Sequence, residues 1–304
     1  MSIKERKFVI YFILFAYSIV MLSYLINKLD FMVTDSDLIR KYQFSKINNE
    51  ENKDVNIVIV GDSSAGNAIN AKLFGKLYSK KTLNLSLAGN FGLAGSYNMV
   101  RHAKKALPKL ETIIIIQTLD IWRRPFSYQG YFDTLSSLDS TNLSKALQKN
   151  LDYENILYQV NPKEIRWFIN SFKNKKINNI DKDLDYIRQK DSRYSSKKNI
   201  IIEDVISGDI VKDKISTYIL IDELCKDIEC IYTHGPIHDY VYNKSLVNID
   251  NINDMLKQTS NNIRLIEKIN NLDNKKMGDA IDHVDSSYKN KCTTDYFNLI
   301  HGSL

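Results

Sequence analysis

Four consecutive isoleucines follow Thr112, and no other stretch of the chain limits its fold as strongly. A β-branched run without polar alternation suits a strand covered on both faces, the environment of a central strand in a parallel sheet. A second run of this kind, Asn56-Ile57-Val58-Ile59-Val60, fills a strand expected at 55–60. Leu83, Leu85 and Leu87 alternate through a third strand at 81–86, and later strands are expected at 228–233 and about 263–267. Helical patterns separate them. Ala65, Ile69, Leu73 and Leu77 recur at helical spacing within 64–78, and further helices are expected at 95–106, 210–226 and 248–259. Strands alternating with helices predict a parallel sheet with helices on both faces. Right-handed crossovers then bring the turns after the first three strands to the carboxyl edge, where open α/β sheets bind ligands.

The first of those turns reads Gly61-Asp62-Ser63-Ser64. Glycine permits a sharp turn, and Asp and Ser suit the N-cap region of the helix that follows. A serine hydroxyl placed there stands in the open above the sheet, with amide donors at hand for a developing oxyanion. A plain strand-to-helix turn has the same composition. Near the other end, Asp279-Ala-Ile-Asp282-His283-Val284 precedes a short closing helix that carries Phe297 and Ile300 on one side. An imidazole oriented by a carboxylate can take the proton of a serine within hydrogen-bond reach. An isolated Asp-His pair is more often a solvated surface feature, but the two ends together are more specific than either.

On these motifs the chain resembles the GDSL/SGNH hydrolase superfamily, and most of all its membrane-anchored branch, which acts in acylation of extracellular polysaccharides and teichoic acids. Gly61-Asp62-Ser63-Ser64 is similar to the first block of that superfamily, and Asn84-Leu-Ser86-Leu-Ala-Gly89-Asn90 to the second. Asp282-His283-Val284 is similar to the last block, and Ile231-Tyr232-Thr233-His234-Gly235-Pro236 looks like the fourth strand of the branch. The likeness covers about residues 50–123 and 198–304. It implies a three-layer α/β/α sandwich with a parallel flavodoxin-like sheet. It also implies Ser63 as nucleophile, His283 as base and the Gly89 amide in the oxyanion hole, with Asn90 and Asp62 beside them. Two departures stand out. The superfamily carries Asp three positions before the histidine, where this chain has Ala280, so that Asp279 and Asp282 both remain candidates for the orienting carboxylate. The third block supplies an Asn side chain, whereas the matching strand end reads Gln117-Thr118-Leu119-Asp120, leaving Gln117 as the substitute donor.

Residues 8–26 are almost wholly apolar, long enough at helical rise to cross a bilayer, and follow Lys4, Arg6 and Lys7. This predicts a cytoplasmic tip and uncleaved anchor over 1–27, with the remainder outside the cell membrane. Polar residues 28–54 read as a partly helical stalk, and 55–304 as one enlarged α/β domain interrupted by a mainly helical, lid-like insertion at about 122–199. Helical pieces are expected in it near 140–151 and 162–173. Trp122, Arg123, Arg124, Phe126, Tyr128 and Tyr131 open the insertion. They can grip a sugar or a carboxylate, but core packing is the favoured reading of the aromatics.

The net charge of +6 is spread rather than blocked, which argues against dedicated nucleic-acid binding. No cofactor is called for. Gly89, Gly92 and Gly95 lack the spacing of a phosphate-binding loop, and Gly235-Pro236 breaks the helix that a His234/His238 metal pair needs. Three cysteines without paired spacing are expected to be buried thiols, with a Cys225–Cys230 bond as the alternative in an oxidising compartment. Two functions follow as expectations. One is an extracytoplasmic serine acyl enzyme, an esterase or O-acyltransferase of cell-surface polysaccharide, working beside the membrane and with a membrane acyl-donor protein as a conceivable partner. The other is a non-catalytic carbohydrate-binding or assembly protein on a degenerate form of the same fold.

Overall fold

The computed structural model describes residues 2–28, 35–135 and 206–302, together with Glu154 and two short strands at 180–181 and 186–187. The helical pieces expected at 140–151 and 162–173 lie outside the described residues. Five strands form one parallel sheet, in the order β2 (Thr82–Asn84), β1 (Ile57–Gly61), β3 (Thr112–Gln117), β6 (Glu229–His234), β8 (Ile263–Ile266). The isoleucine run is its centre. Ile57 of β1 pairs with Thr112 and Gly61 with Ile116, while Gln117 pairs with His234 of β6. The residues of β1 and β3 are all buried, and they alternate between two cores. Val58, Val60, Ile113 and Ile115 pack on one face against α5 (Gly92–Ala106) and α7 (Lys212–Leu224). Ile57, Ile59, Ile114 and Ile116 pack on the other against α3 (Ser63–Ala68), α4 (Ala71–Tyr78) and α10 (Lys289–His301), while α6 (Tyr128–Leu135), α8 (Asp239–Lys244) and α9 (Leu246–Thr259) follow the strands in between. This period-two partition is why an unbroken apolar run suits a strand with cover on both sides. A small parallel pair, β7 (Ile237–His238) with β9 (Asn271–Leu272), and an antiparallel pair, β4 (Ile180–Asp181) with β5 (Tyr186–Ile187), stand apart from the main sheet.

The single helix expected at 64–78 is two helices. Ile69 is extended, and the Asn70 side chain accepts from the Leu73 amide to start α4 afresh. Its own amide is taken by the Thr293 hydroxyl of α10, so the break is held from both sides. The closing helix, expected around Phe297 and Ile300, starts at Lys289. Its side chains serve α3. Lys289 donates to the Gly66 carbonyl and Thr293 to the Ala68 carbonyl, satisfying groups that a six-residue helix cannot satisfy internally.

Two expectations are corrected. The segment read as a stalk contains α2 (Asp35–Asn48), which packs on the domain: Ile39, Gln43 and Ile47 are buried, and Gln43 Nε2 donates to the Ser86 carbonyl. A helix with one apolar edge and a buried amide is part of the fold, not a spacer. The cysteines expected as buried thiols are, for Cys225 and Cys230, a disulfide; Cys292 is a buried free thiol. The bond joins the residue after α7 to the second residue of β6, across the short turn that links them. Beyond it, the buried Asp222 carboxylate accepts from the backbone amides of Asn261, Asn262 and Ile263 and from the Ser260 hydroxyl, fixing the entry to β8.

Helix α1 (Ile3–Lys28) contains a 23-residue stretch, Ile3–Leu25, long and apolar enough to cross a membrane. Its large side chains, Phe8, Phe12 and Phe15 among them, face outward from the protein. Ser18 and Ser23 donate to the carbonyls of Leu14 and Ile19, four residues back, so neither serine hydroxyl is left unpaired in an apolar setting.

Candidate functional site

Gly61 ends β1 because the neighbouring strand leaves no room for a side chain: a Cβ there would stand 1.9 Å from the Ile116 carbonyl oxygen. The chain then turns through Asp62, the N-cap of α3. One carboxylate oxygen of Asp62 accepts from the Ser64 amide (2.9 Å) and hydroxyl (2.5 Å), and the other from the Thr118 amide (2.9 Å). Asp62 thus ties the turn after β1 to the turn after β3. It is only 2 % exposed, and burial, then the nearby Asp282, push its carboxyl up to about 6 against the pull of these donors. Among the substrate-facing residues expected from sequence, Asp62 is a strut of the site.

Ser63, the first residue of α3, is half-buried, while Ser64 faces the interior. The second expected residue comes beside it. A Cβ built on Gly89 would lie 3.8 Å from Ser63 Oγ and 3.1 Å from Nη1 of Arg124. Asn90 next to it is exposed, and its carbonyl accepts from the Ser127 hydroxyl (2.9 Å). Gln117, the expected substitute donor, turns away from Ser63 and Gly89 into the core. Its side chain is fully buried and its amide nitrogen donates to Ser96 Oγ on α5 (2.6 Å), because Gln117 alternates into the core from a strand bonded on both sides.

The tail loop is closed by a bridge between Met277 and Val284 and by the Gly278 amide donating to the His283 carbonyl (2.7 Å). This tight loop brings Asp279, four residues before the histidine, to Nδ1 of His283 at 2.8 Å. Asp282 stands 3.7 Å from Nε2 on the opposite edge of the ring, beyond hydrogen-bond length. The carboxylate that holds the imidazole is therefore Asp279. Burial works against a charged His283, but Asp282, Asp279 and then Asp62 hold its pKa above the ordinary histidine value. His283 feels both Asp282 and Asp62, and Asp62 feels Asp282, so the charges of the tail loop act on the turn carrying Ser63.

Two further charged groups complete this edge. Arg124 donates through Nε and Nη2 to one oxygen of Asp120. Its guanidinium also feels Asp62 and Asp282. Lys214 of α7 is fully buried with no hydrogen-bond partner for its ammonium among the described residues, and burial, then Arg124, lower its pKa to about 8. Sequence reasoning named Arg124 only as one of a group able to grip a carboxylate, and Lys214 carries no local signal. The aromatics beside Arg124 follow the core reading: Trp122 and Tyr131 are fully buried, and Trp122 donates to the Tyr232 hydroxyl. His234 is a core histidine bonded to Asn253 at 2.7 Å, and His238 accepts from the Tyr240 amide as a helix cap. No family model, curated protein or solved structure matches the chain.

Proposed function

We propose that the chain is a serine-dependent acyl-ester hydrolase or O-acyltransferase of SGNH type, acting on cell-surface polysaccharide beside the membrane it enters through residues 8–26. The observation that carries this reading is the Asp279–His283 pair, bonded at 2.8 Å and electrostatically coupled to the turn that presents Ser63 next to Gly89. The strand order β2-β1-β3-β6-β8, with apolar cores on both faces, supports reading the domain as a flavodoxin-like three-layer sandwich. In the first step Ser63 Oγ bonds to the ester carbonyl carbon as its proton passes to His283. The carbonyl oxygen takes the electron pair as an oxyanion near the Gly89 amide. Collapse expels the alcohol, which takes the proton from His283 and leaves an acyl-serine. Water or a sugar hydroxyl, deprotonated by His283, then attacks that ester and restores Ser63. Asp279 holds the ring through Nδ1 and stabilises its charged form.

Ser63→Ala in the full chain, held in detergent, is expected to abolish turnover of 4-nitrophenyl acetate while its circular dichroism melt is kept. Unchanged turnover removes Ser63 from the mechanism. One observation favours the second reading, a non-catalytic glycan-binding protein: the only side-chain amide at the end of β3 is committed to Ser96. Retained glycan binding and full biological rescue by a Ser63/His283 double alanine would select it.

A further inference from the structure

We propose that Arg124 is the cationic donor of the oxyanion hole, a catalytic residue held in place by Asp120. The proposal rests on the serine reading given above and adds the group that reading lacks. With Gln117 turned into the core, the end of β3 offers no side-chain amide to a developing oxyanion. The chain continues instead through a short 3₁₀ turn, Leu119–Arg123, that delivers Arg124 back over the sheet edge. Its Nη1 and Ser63 Oγ approach the same point, the open face of Gly89, from 3.1 and 3.8 Å. The oxyanion of an acyl transfer forms one bond from the attacking oxygen, in the space Gly89 leaves empty.

The guanidinium is fixed for this task. Nε and Nη2 both donate to Asp120 Oδ2, so the fork is used from one side, and Nη1 makes no hydrogen bond among the described residues. The buried ammonium of Lys214, without a hydrogen-bond partner among the described residues, lies at the start of α5, 3.4 Å from where a Gly92 Cβ would stand, and its charge and that of Arg124 act on each other. A lysine at position 124 would lack this geometry, because an ammonium cannot hold Asp120 through two parallel donors and still extend a third. A charged donor aimed in advance at the reacting oxygen stabilises the transition state more than the ground state, which separates it from a residue that only binds. The same arginine also faces Asp62, Asp120 and Asp282, and balancing their charge is the role it would play without catalysis.

The experiment compares wild type, Ser63→Ala, Arg124→Ala and Arg124→Lys in the full chain, with 4-nitrophenyl acetate as a neutral substrate. Arg124→Ala is expected to lose about two to three orders of magnitude in kcat with KM changed less than about threefold. Added methylguanidine is expected to restore kcat saturably by about tenfold or more, and Arg124→Lys to recover only a small part. A purely charge-balancing arginine gives a different pattern: Arg124→Lys near wild type, no rescue by methylguanidine, and a loss shared with thermal stability. That pattern overturns the proposal, as does Arg124→Ala at near-wild-type kcat. If Ser63→Ala itself leaves turnover intact, the serine reading falls and the oxyanion role with it. Loss in Ser63→Ala with full activity in Arg124→Ala refutes the arginine alone.

Discussion

Asp282 sits on the edge of the His283 ring opposite to Asp279, and its removal should make the site work at lower pH. The two unit charges lie 3.7 Å apart with side-chain exposures of 18 % and 13 %. At that separation Coulomb attraction is about 1 kcal/mol in bulk water and about 4 kcal/mol at an effective dielectric near 20. Both groups are mostly shielded, so the true value lies well above the water limit. Since 1.4 kcal/mol corresponds to about tenfold in proton affinity, Asp282→Asn should weaken proton binding at His283 by about tenfold or more. The sign follows from the role proposed for the ring. A general base must be neutral, and a histidine held above its ordinary value stays protonated to higher pH. Activity therefore rises as pH climbs through the folded value, and losing Asp282 moves that acid limb down by about one pH unit or more. The assay is kcat/KM for 4-nitrophenyl acetate across pH, paired with an NMR titration of the imidazole proton signals. With only five histidines in the chain, the His283 resonance can be assigned by its absence in a His283→Gln variant. An unchanged midpoint, or one moved upward, refutes the placement of Asp282 against the base. Agreement by NMR without any turnover would keep the electrostatics and discard the chemistry.

Stability tests probe the frame that carries the site. Asp222→Ala strands three backbone amides at the entry to β8, the Ile263 amide in a buried setting, and should cost about 3 kcal/mol in urea unfolding followed by fluorescence; a cost under about 0.5 kcal/mol would contradict the network. Replacing Cys225 and Cys230 together by serine opens a short loop of sequence separation 5, for which chain-entropy reasoning gives a loss of about 2 kcal/mol. Thiol titration of the unfolded, unreduced protein should find Cys292 as the one free thiol among the three cysteines, and two further thiols would exclude the bond.

Much of the sheet was legible because β1 and β3 need nothing but their own side chains to declare themselves. An unbroken β-branched run has few alternatives to a strand covered on both faces. The break at Ile69–Asn70 was not legible, since it depends on Thr293, more than two hundred residues away, offering its hydroxyl to the Asn70 amide. At the site, Ser63, Gly89 and His283 could be named from local motif, and two of them are brought side by side. The choice between Asp279 and Asp282 could not, because spacing along a loop does not say which carboxylate the loop folds onto the ring. The direction of Gln117 was hidden for a related reason: a strand end alone does not say which way its side chain turns, and the pleat aims it at Ser96. Arg124 and Lys214 gain their meaning only from the tertiary fold, which sets one above Gly89 and the other against the start of α5.

The bonds from α10 to α3 have a bearing on when the centre comes into being. A chain on the ribosome that has not yet reached residue 289 already contains the serine, its glycine neighbour and most of the sheet. Yet the carbonyls of Gly66 and Ala68 have no partner until Lys289 and Thr293 arrive, at separations of 223 and 225 residues. Contacts so distant in sequence are slow to form and come late. The short helix that carries Ser63 is thus consolidated near the end of maturation, in the same event that docks the tail, so under the proposed serine chemistry unfinished or clipped copies should be inert.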